Sequence, residues 1–339
     1  MDLNTIWYLL VGILITGYAI LDGFDLGVGV LSLFARDEKE RGTFLRAIGP
    51  VWDGNEVWLL AGGGALFAAF PAVYATVFSG FYLAFMLLLA ALIFRAVSME
   101  FYGMVDSPAW RTVWGWAFGL GSLLPCILFG VAFGNILRGI PITMGGTYVG
   151  TFLGLLNPYA LLVGVLSLAM FIMHGATYMT VKTGGELQKR METWAIGGWV
   201  GLAVLYIPAT LFSMLTSPHL FEGLSGNVLF YLTLAPLVIA IAGMPASLGS
   251  RRYLRAFFCT SMTIASMIAM SGISLYPRLV PSRINLAYSL TVYNASSTPH
   301  SLRVMLIIAL IGMPLVLTYT ACIYWIFRGK VHTTSDGYS

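Results

Sequence analysis

Two stretches decide how this chain is read: Leu21-Asp22-Gly23-Phe24-Asp25-Leu26-Gly27 and Val51-Trp52-Asp53-Gly54-Asn55-Glu56-Val57-Trp58. Each places a pair of carboxylates inside an apolar run long enough to cross a bilayer. An acid held in hydrocarbon costs roughly 2.5–3.5 kcal/mol and therefore marks a function by default. The other acidic residues of the 14 fall in predicted loops, tails or helix ends.

Outward from these stretches the composition is that of a membrane protein. The 339 residues are 58% hydrophobic and 9% charged, with a mean hydropathy of +0.85, whereas soluble domains carry about 25% charged residues. Nine apolar runs reach the roughly 20 residues a spanning helix needs: about 5–34, 49–70, 73–100, 113–137, 157–182, 193–215, 227–247, 255–276 and 303–327. No Lys or Arg precedes Arg36, so the first run lacks the basic segment of a cleaved signal peptide and is expected to be a true first helix.

Orientation follows from the bias of Lys and Arg toward cytoplasmic segments. With the N-terminus outside, the outer connections hold only Arg138, Arg278, Arg283 and Arg303 of the 18 basic residues. The others, including Arg36, Lys39, Arg41, Arg46, Arg95, Arg111, Lys182 and Lys189, then lie inside, as does the C-terminus. The net charge of +4 reflects this bias and gives no reason to invoke nucleic acid.

The expected fold is an all-α integral membrane protein with nine transmembrane helices, arranged as two four-helix bundles plus one peripheral helix. Residues 1–140 form the first bundle and 141–276 the second. Residues 277–302 form an outer loop, and 303–339 the ninth helix and an inner tail. Tyr18-Ala-Ile-Leu-Asp22-Gly23 and Met170-Phe-Ile-Met-His174-Gly175 stand in similar positions in the two halves, which suggests parallel repeats. The turn near Pro71 is so short that helices 2 and 3 must form an antiparallel hairpin. The loop at 277–302 contains Pro277, Pro281 and Pro299, which argue against helix throughout.

Asp22 and Asp25 are three apart and share a helix face, as do Asp53 and Glu56. At 1.5 Å per residue, Asp25 lies roughly 13 Å from the inner end, and Asp53 and Glu56 roughly 7 and 12 Å. All four therefore occupy the inner half of the membrane, accompanied by Trp52, Asn55 and Trp58. Carboxylates at such depths can pass protons, because each can be neutral or charged. The competing view is structural: Arg95 and Asn55 could satisfy these acids, and Asp53 could cap its helix. His174 is the one histidine in a predicted span, so two axial haem ligands of the bis-histidine type are not available. A lone interior histidine is more often hydrogen-bonded structure than a ligand. Cys126, Cys259 and Cys322 show no metal spacing, and no phosphate-loop or zinc-protease motif occurs.

Gly23-Phe-Asp-Leu-Gly-Val-Gly29, Trp52-Asp-Gly-Asn-Glu-Val-Trp58, Gly62-Gly-Gly-Ala-Leu-Phe-Ala-Ala-Phe-Pro71, Gly130-Val-Ala-Phe-Gly-Asn135, Gly175-Ala-Thr-Tyr178 and Ser289-Leu-Thr291 together resemble subunit II of the cytochrome bd quinol oxidases. The similarity runs end to end, through Tyr319-Thr-Ala-Cys-Ile-Tyr324. It implies a subunit of a membrane-bound enzyme that oxidises quinol, reduces oxygen to water and contributes to the proton-motive force. It also implies b-type haems and haem d carried by a homologous subunit I, none held by this chain alone. In some members subunit II holds a structural quinone, and a small single-helix accessory subunit joins the complex. The implied location is the cytoplasmic membrane of a bacterium or archaeon, among membrane lipids. The resemblance assigns Asp53 to a cytoplasmic proton route, with Asp25 as a second member; Asp22 and Glu56 complete the candidate set. His174 stands where other members carry Gln and receives no family role. An ion or solute transporter would also explain buried acids and repeats. Transporters, however, usually break helices at corresponding midplane positions of both halves, and here the acids lie in one half.

Overall fold

A computed structural model describes residues 2–331, so the remaining tail of the expected 303–339 segment lies outside the described residues. Twelve α-helices follow in order: α1 Leu3–Ser32, α2 Glu38–Ile48, α3 Trp52–Ala69, α4 Pro71–Gly80, α5 Tyr82–Phe101, α6 Pro108–Arg138, α7 Phe152–Leu155, α8 Pro158–Lys182, α9 Gly185–Thr216, α10 Val228–Gly249, α11 Tyr253–Leu275 and α12 Pro299–Ile326. Eight of them are long and apolar enough to cross a membrane, and the pair α3 and α4 raises this to nine if counted as one bent span. The chain is a multi-span helical membrane protein.

Two sequence expectations are corrected here. The run at 73–100 is not one helix. Pro71 starts α4 where the missing amide donor costs nothing, α4 turns from α3 by 119°, and Phe81 interrupts the path before α5. The charged connection at 35–48 is not a plain loop either. Asp37 caps α2 by accepting the Glu40 amide at 2.7 Å, and Phe44, Leu45, Ala47 and Ile48 are buried beneath the helix. Its charges, Glu38 and Glu40 in the first turn and Arg46 in the last, follow the helix dipole.

Helices α1 and α8 form the axis of the molecule. Helix α1 packs on α3, α6, α8 and α11, while α8 packs on α1, α6, α9 and α11. Glycines make this possible. A methyl group placed on Gly27 would lie 1.9 Å from the Phe171 carbonyl oxygen, and one on Gly175 would lie 2.6 Å from the Gly27 carbonyl carbon. Gly130 and Gly134 give α6 the same close approach to Val163, Gly164 and Ala160 of α8. The small-residue faces are thus consumed inside the chain, where lipid supplies no hydrophobic drive and van der Waals contact must do the work.

The connection at 277–302 is a built cap. Arg278–Val280 (β1) pairs antiparallel with Leu290–Thr291 (β2). Val280, Leu290, Val292 and Leu302 are buried with Trp7, Phe70, Ile140 and Ile142 in one apolar cluster. The Trp7 indole donates to the Leu302 carbonyl at 2.9 Å, and the Ser297 amide donates to the Ala69 carbonyl at 2.8 Å. At the opposite face, α12 ends against α8: Lys182 donates to the Phe327 carbonyl, and the Val331 amide donates to the Lys182 carbonyl at 2.8 Å. Arg190 of α9 pairs with Glu40, and Arg111 of α6 pairs with Glu38, so the basic connections gather on α2.

Candidate functional site

The site grows from α1. Its Asp22 and Asp25 are fully buried, one turn apart, on the stretch where every residue from Asp22 to Ser32 is buried. A buried ion is tolerable only with close partners, and each acid has a different one. Arg95 of α5 grips Asp22 through both guanidinium nitrogens, at 2.6 Å to Oδ1 and 3.1 Å to Oδ2. Arg95 is itself 1% exposed, so this is an ion pair closed to solvent. Arg95, counted among the inner basic residues and also offered as a partner for these acids, stands within α5 and takes the second role.

Asp25 takes a neutral partner. Asn55 of α3 donates from Nδ2 to Asp25 Oδ2 at 2.7 Å, and the Tyr324 hydroxyl of α12 donates to Asn55 Oδ1 at 2.9 Å. Among the described residues Asp25 Oδ1 has no hydrogen-bond partner, and neither does the buried Tyr18 hydroxyl one turn before Asp22. Three helices thus meet at one carboxylate, with one of its oxygens left open.

The other two acids lie on α3. Glu56 is partly buried, within electrostatic reach of Arg95, Asp22 and Asp53. Asp53 is exposed in the first turn of α3, on the side that also presents Val57 and Leu60. It forms no cap: Val51 occupies the N-cap position without a side-chain bond. Its negative charge near the helix N-terminus still meets the positive end of the dipole. The four acids are therefore graded from an exposed Asp53 through a partly buried Glu56 to a sealed Asp25, with Asp22 committed to Arg95.

Of the supporting residues, Asn55 contacts the site directly. Trp58 fills the notch left by Gly17, where a methyl group would sit 2.2 Å from its ring, and Trp52 is buried at the start of α3. Sequence reasoning missed Tyr324 as a site residue. It stands 269 positions from Asn55, and no local spacing joins them.

His174 resolves as structure. Its Nδ1 lies 2.7 Å from the Thr260 hydroxyl and its Nε2 lies 2.9 Å from the Ile20 carbonyl. Its ring stacks on Phe257 at 4.8 Å. Both nitrogens are engaged, so the interior histidine of this chain does not fit a haem iron. No group of three or more His, Cys, Asp or Glu able to hold a metal occurs among the described residues.

A helical bundle that seals an Arg–Asp pair and a second carboxylate among its apolar helices defines a class: polytopic membrane proteins with titratable groups set inside the bilayer. The model of the cytochrome bd terminal oxidase subunit II family matches residues 3–327, and the chain belongs to that family. It is 38% identical to cytochrome bd-I ubiquinol oxidase subunit 2 of Escherichia coli strain K12, covering 97% of this chain and 95% of the relative. It is 39% identical to cytochrome bd ubiquinol oxidase subunit 2 of Bacillus subtilis strain 168, covering 97% of each. The fold matches a chain of the bd oxidase structure from Geobacillus thermodenitrificans with a TM-score of 0.82 at 18% sequence identity, over 96% of this chain and 99% of that one.

Proposed function

We propose that this chain is the haem-free subunit of a membrane quinol:oxygen oxidoreductase of the bd type, supporting a homologous haem-bearing subunit I. Quinol is the electron donor, and the partner carries the b-type haems and haem d. The chain resides in the cytoplasmic membrane with its N-terminus outside, and residues 1–140 and 141–276 act as parallel four-helix repeats. The engagement of both His174 nitrogens supports a partner as the holder of the haems. Purification decides this: the chain alone should show no haem bands, and haem should appear when the partner is co-expressed. A haem spectrum from the chain alone overturns the assignment.

Within that complex the chain supplies a cytoplasmic proton route through Asp53, Glu56 and Asp25. The observation that carries this reading is their graded burial. Asp53 is exposed in the first turn of α3, Glu56 sits partly buried one turn further along, and Asp25 is fully buried with Oδ1 unpartnered among the described residues. Asp22 and Arg95 provide a fixed pair of charges beside Asp25 rather than a further carrier. Oxygen reduction consumes protons, and a protonatable side chain at each stage lowers the barrier through a low-dielectric region. Glu56→Gln and Asp53→Asn keep shape and remove titration, so both should slow turnover with haem content unchanged. Full turnover in both would return these acids to a structural role.

A further inference from the structure

We propose that Tyr324 is a positioning residue for Asp25, keeping Asn55 hydrogen-bonded in either orientation of its amide so that Asn55 can follow the protonation of the carboxylate; this rests on the relay reading above. The argument begins with the two-sidedness of asparagine. Turned one way, Asn55 offers N–H donors to Asp25 and can satisfy a carboxylate. Turned the other way, it offers only its oxygen, which can bond Asp25 only when the acid carries a proton. Either orientation needs a partner behind the amide, and that partner is the Tyr324 hydroxyl.

That hydroxyl donates to Asn55 Oδ1 at 2.9 Å, which leaves Nδ2 for Asp25 Oδ2 at 2.7 Å. A phenol both donates and accepts, so the same hydroxyl could receive an N–H from Asn55 if the amide turned. Tyr324 thereby keeps Asn55 hydrogen-bonded in either orientation and lets it follow the protonation of Asp25. Asp25 Oδ1, without a partner among the described residues, is the side on which the proton can be exchanged.

The C-terminal end of α12 holds Tyr324 against the core. Most of α12 is exposed, with Leu310, Leu315 and Tyr319 each more than half accessible. Ile323 and Tyr324 turn inward, and the Tyr324 ring meets Phe24 edge-on at a centroid distance of 6.4 Å. Immediately afterwards Lys182 binds the Phe327 carbonyl and Val331 joins the Lys182 carbonyl, so the end of α12 is tied to the end of α8 within a turn of Tyr324. The charged and titratable groups within reach of Asp25 are Asp22 on its own helix, Glu56 on α3, Arg95 on α5, Tyr178 on α8 and Tyr324 on α12. Of these, only Tyr324 is bonded to the side chain that holds Asp25. Tyr178 instead donates to the Ala47 carbonyl at 3.0 Å.

The test uses the assembled oxidase and infrared difference spectroscopy of carboxyl groups, with Asp25→Asn identifying the Asp25 signal. Tyr324→Phe keeps the ring and removes the hydroxyl. It should shift the Asp25 signal and lower turnover about five-fold, the ratio corresponding to one net hydrogen bond of ~1 kcal/mol. Haem content should be unchanged. Combining Tyr324→Phe with Asp25→Asn should cost no more turnover than Asp25→Asn alone, and Tyr178→Phe should leave the Asp25 signal in place. An Asp25 signal identical in Tyr324→Phe and the parent overturns the inference, as does an equal shift in Tyr178→Phe. Undiminished turnover in Asp25→Asn defeats the relay reading instead, and the carboxyl signal still decides whether Tyr324 positions Asp25 through Asn55.

Discussion

Replacing Arg95 with methionine tests the buried ion pair that fastens α5 to α1. The substitution preserves most of the aliphatic volume and removes the guanidinium. Asp22 and Arg95 are 0% and 1% exposed and meet through two hydrogen bonds, so no solvent takes over when the partner is lost. Breaking one side of such a pair costs about 3–5 kcal/mol, because a carboxylate remains buried and uncompensated. At ~1.4 kcal/mol per tenfold this lowers the ratio of folded to unfolded protein by more than about 100-fold. Replacing both partners, in Asp22→Leu/Arg95→Met, removes the orphaned charge and should restore stability to within ~1 kcal/mol of the parent. The assay is unfolding in mixed micelles titrated with SDS, followed by tryptophan fluorescence, with the coupling energy taken from the complete cycle. An Arg95→Met protein within ~1 kcal/mol of the parent refutes the reasoning, and so does a double variant as unstable as the sum of the single ones.

Gly27→Ala should lower the yield of folded protein several-fold, since its methyl would lie 1.9 Å from the Phe171 carbonyl oxygen and overpacking costs about 1–3 kcal/mol; Gly12→Ala, where the space is open, should not. His174→Ala should destabilise the protein by about 1–3 kcal/mol by stripping Thr260 and the Ile20 carbonyl of their partner, while the haem spectrum of the assembled complex keeps every band. At the N-terminus, Asp2 accepts the Thr5 amide at 2.7 Å, and this bond holds its carboxyl below the ordinary 3.8. Because the folded value is the lower one, the cap stabilises α1 above about pH 4 and is lost as pH falls through the folded value. Hydrogen exchange at the Thr5 amide should therefore accelerate in acid, and Asp2→Asn, which caps equally well, should abolish that dependence.

The spans were legible because they depend on local composition. Runs of apolar residues must be helical in lipid, where every backbone group needs an internal partner, and Asp22, Asp25 and Asn55 declare themselves by interrupting such runs. What stayed hidden depends on distance along the chain. Arg95 reads as a partner for the buried acids, but which of them it meets stays hidden until α5 is seen to bring it, 73 residues on, to Asp22. Tyr324 reads as one aromatic residue among many until α12 folds back to Asn55. Helix α2 was masked by its own charges, since Glu38, Lys39, Glu40 and Arg41 precede the apolar face formed by Phe44, Leu45, Ala47 and Ile48. The break at Phe81 has no Pro or charge to announce it; Gly80 stands beside it, where a methyl would lie 2.7 Å from the Tyr148 ring of a distant loop. The grading of the carboxylates was not legible either, because position along the chain does not say which side of α3 packs against α1.

Proton delivery in the Asp25→Asn complex tests the central claim most directly. The side chain keeps its shape, Asn55 and Tyr324 stay in place, and only the titratable group is removed. With saturating quinol and oxygen, turnover and proton uptake by sealed vesicles should fall together by at least about tenfold, as expected when a positioned proton carrier is lost, while haem content per complex matches the parent. Parental turnover and parental proton uptake in an Asp25→Asn complex with its full haem content would contradict the account.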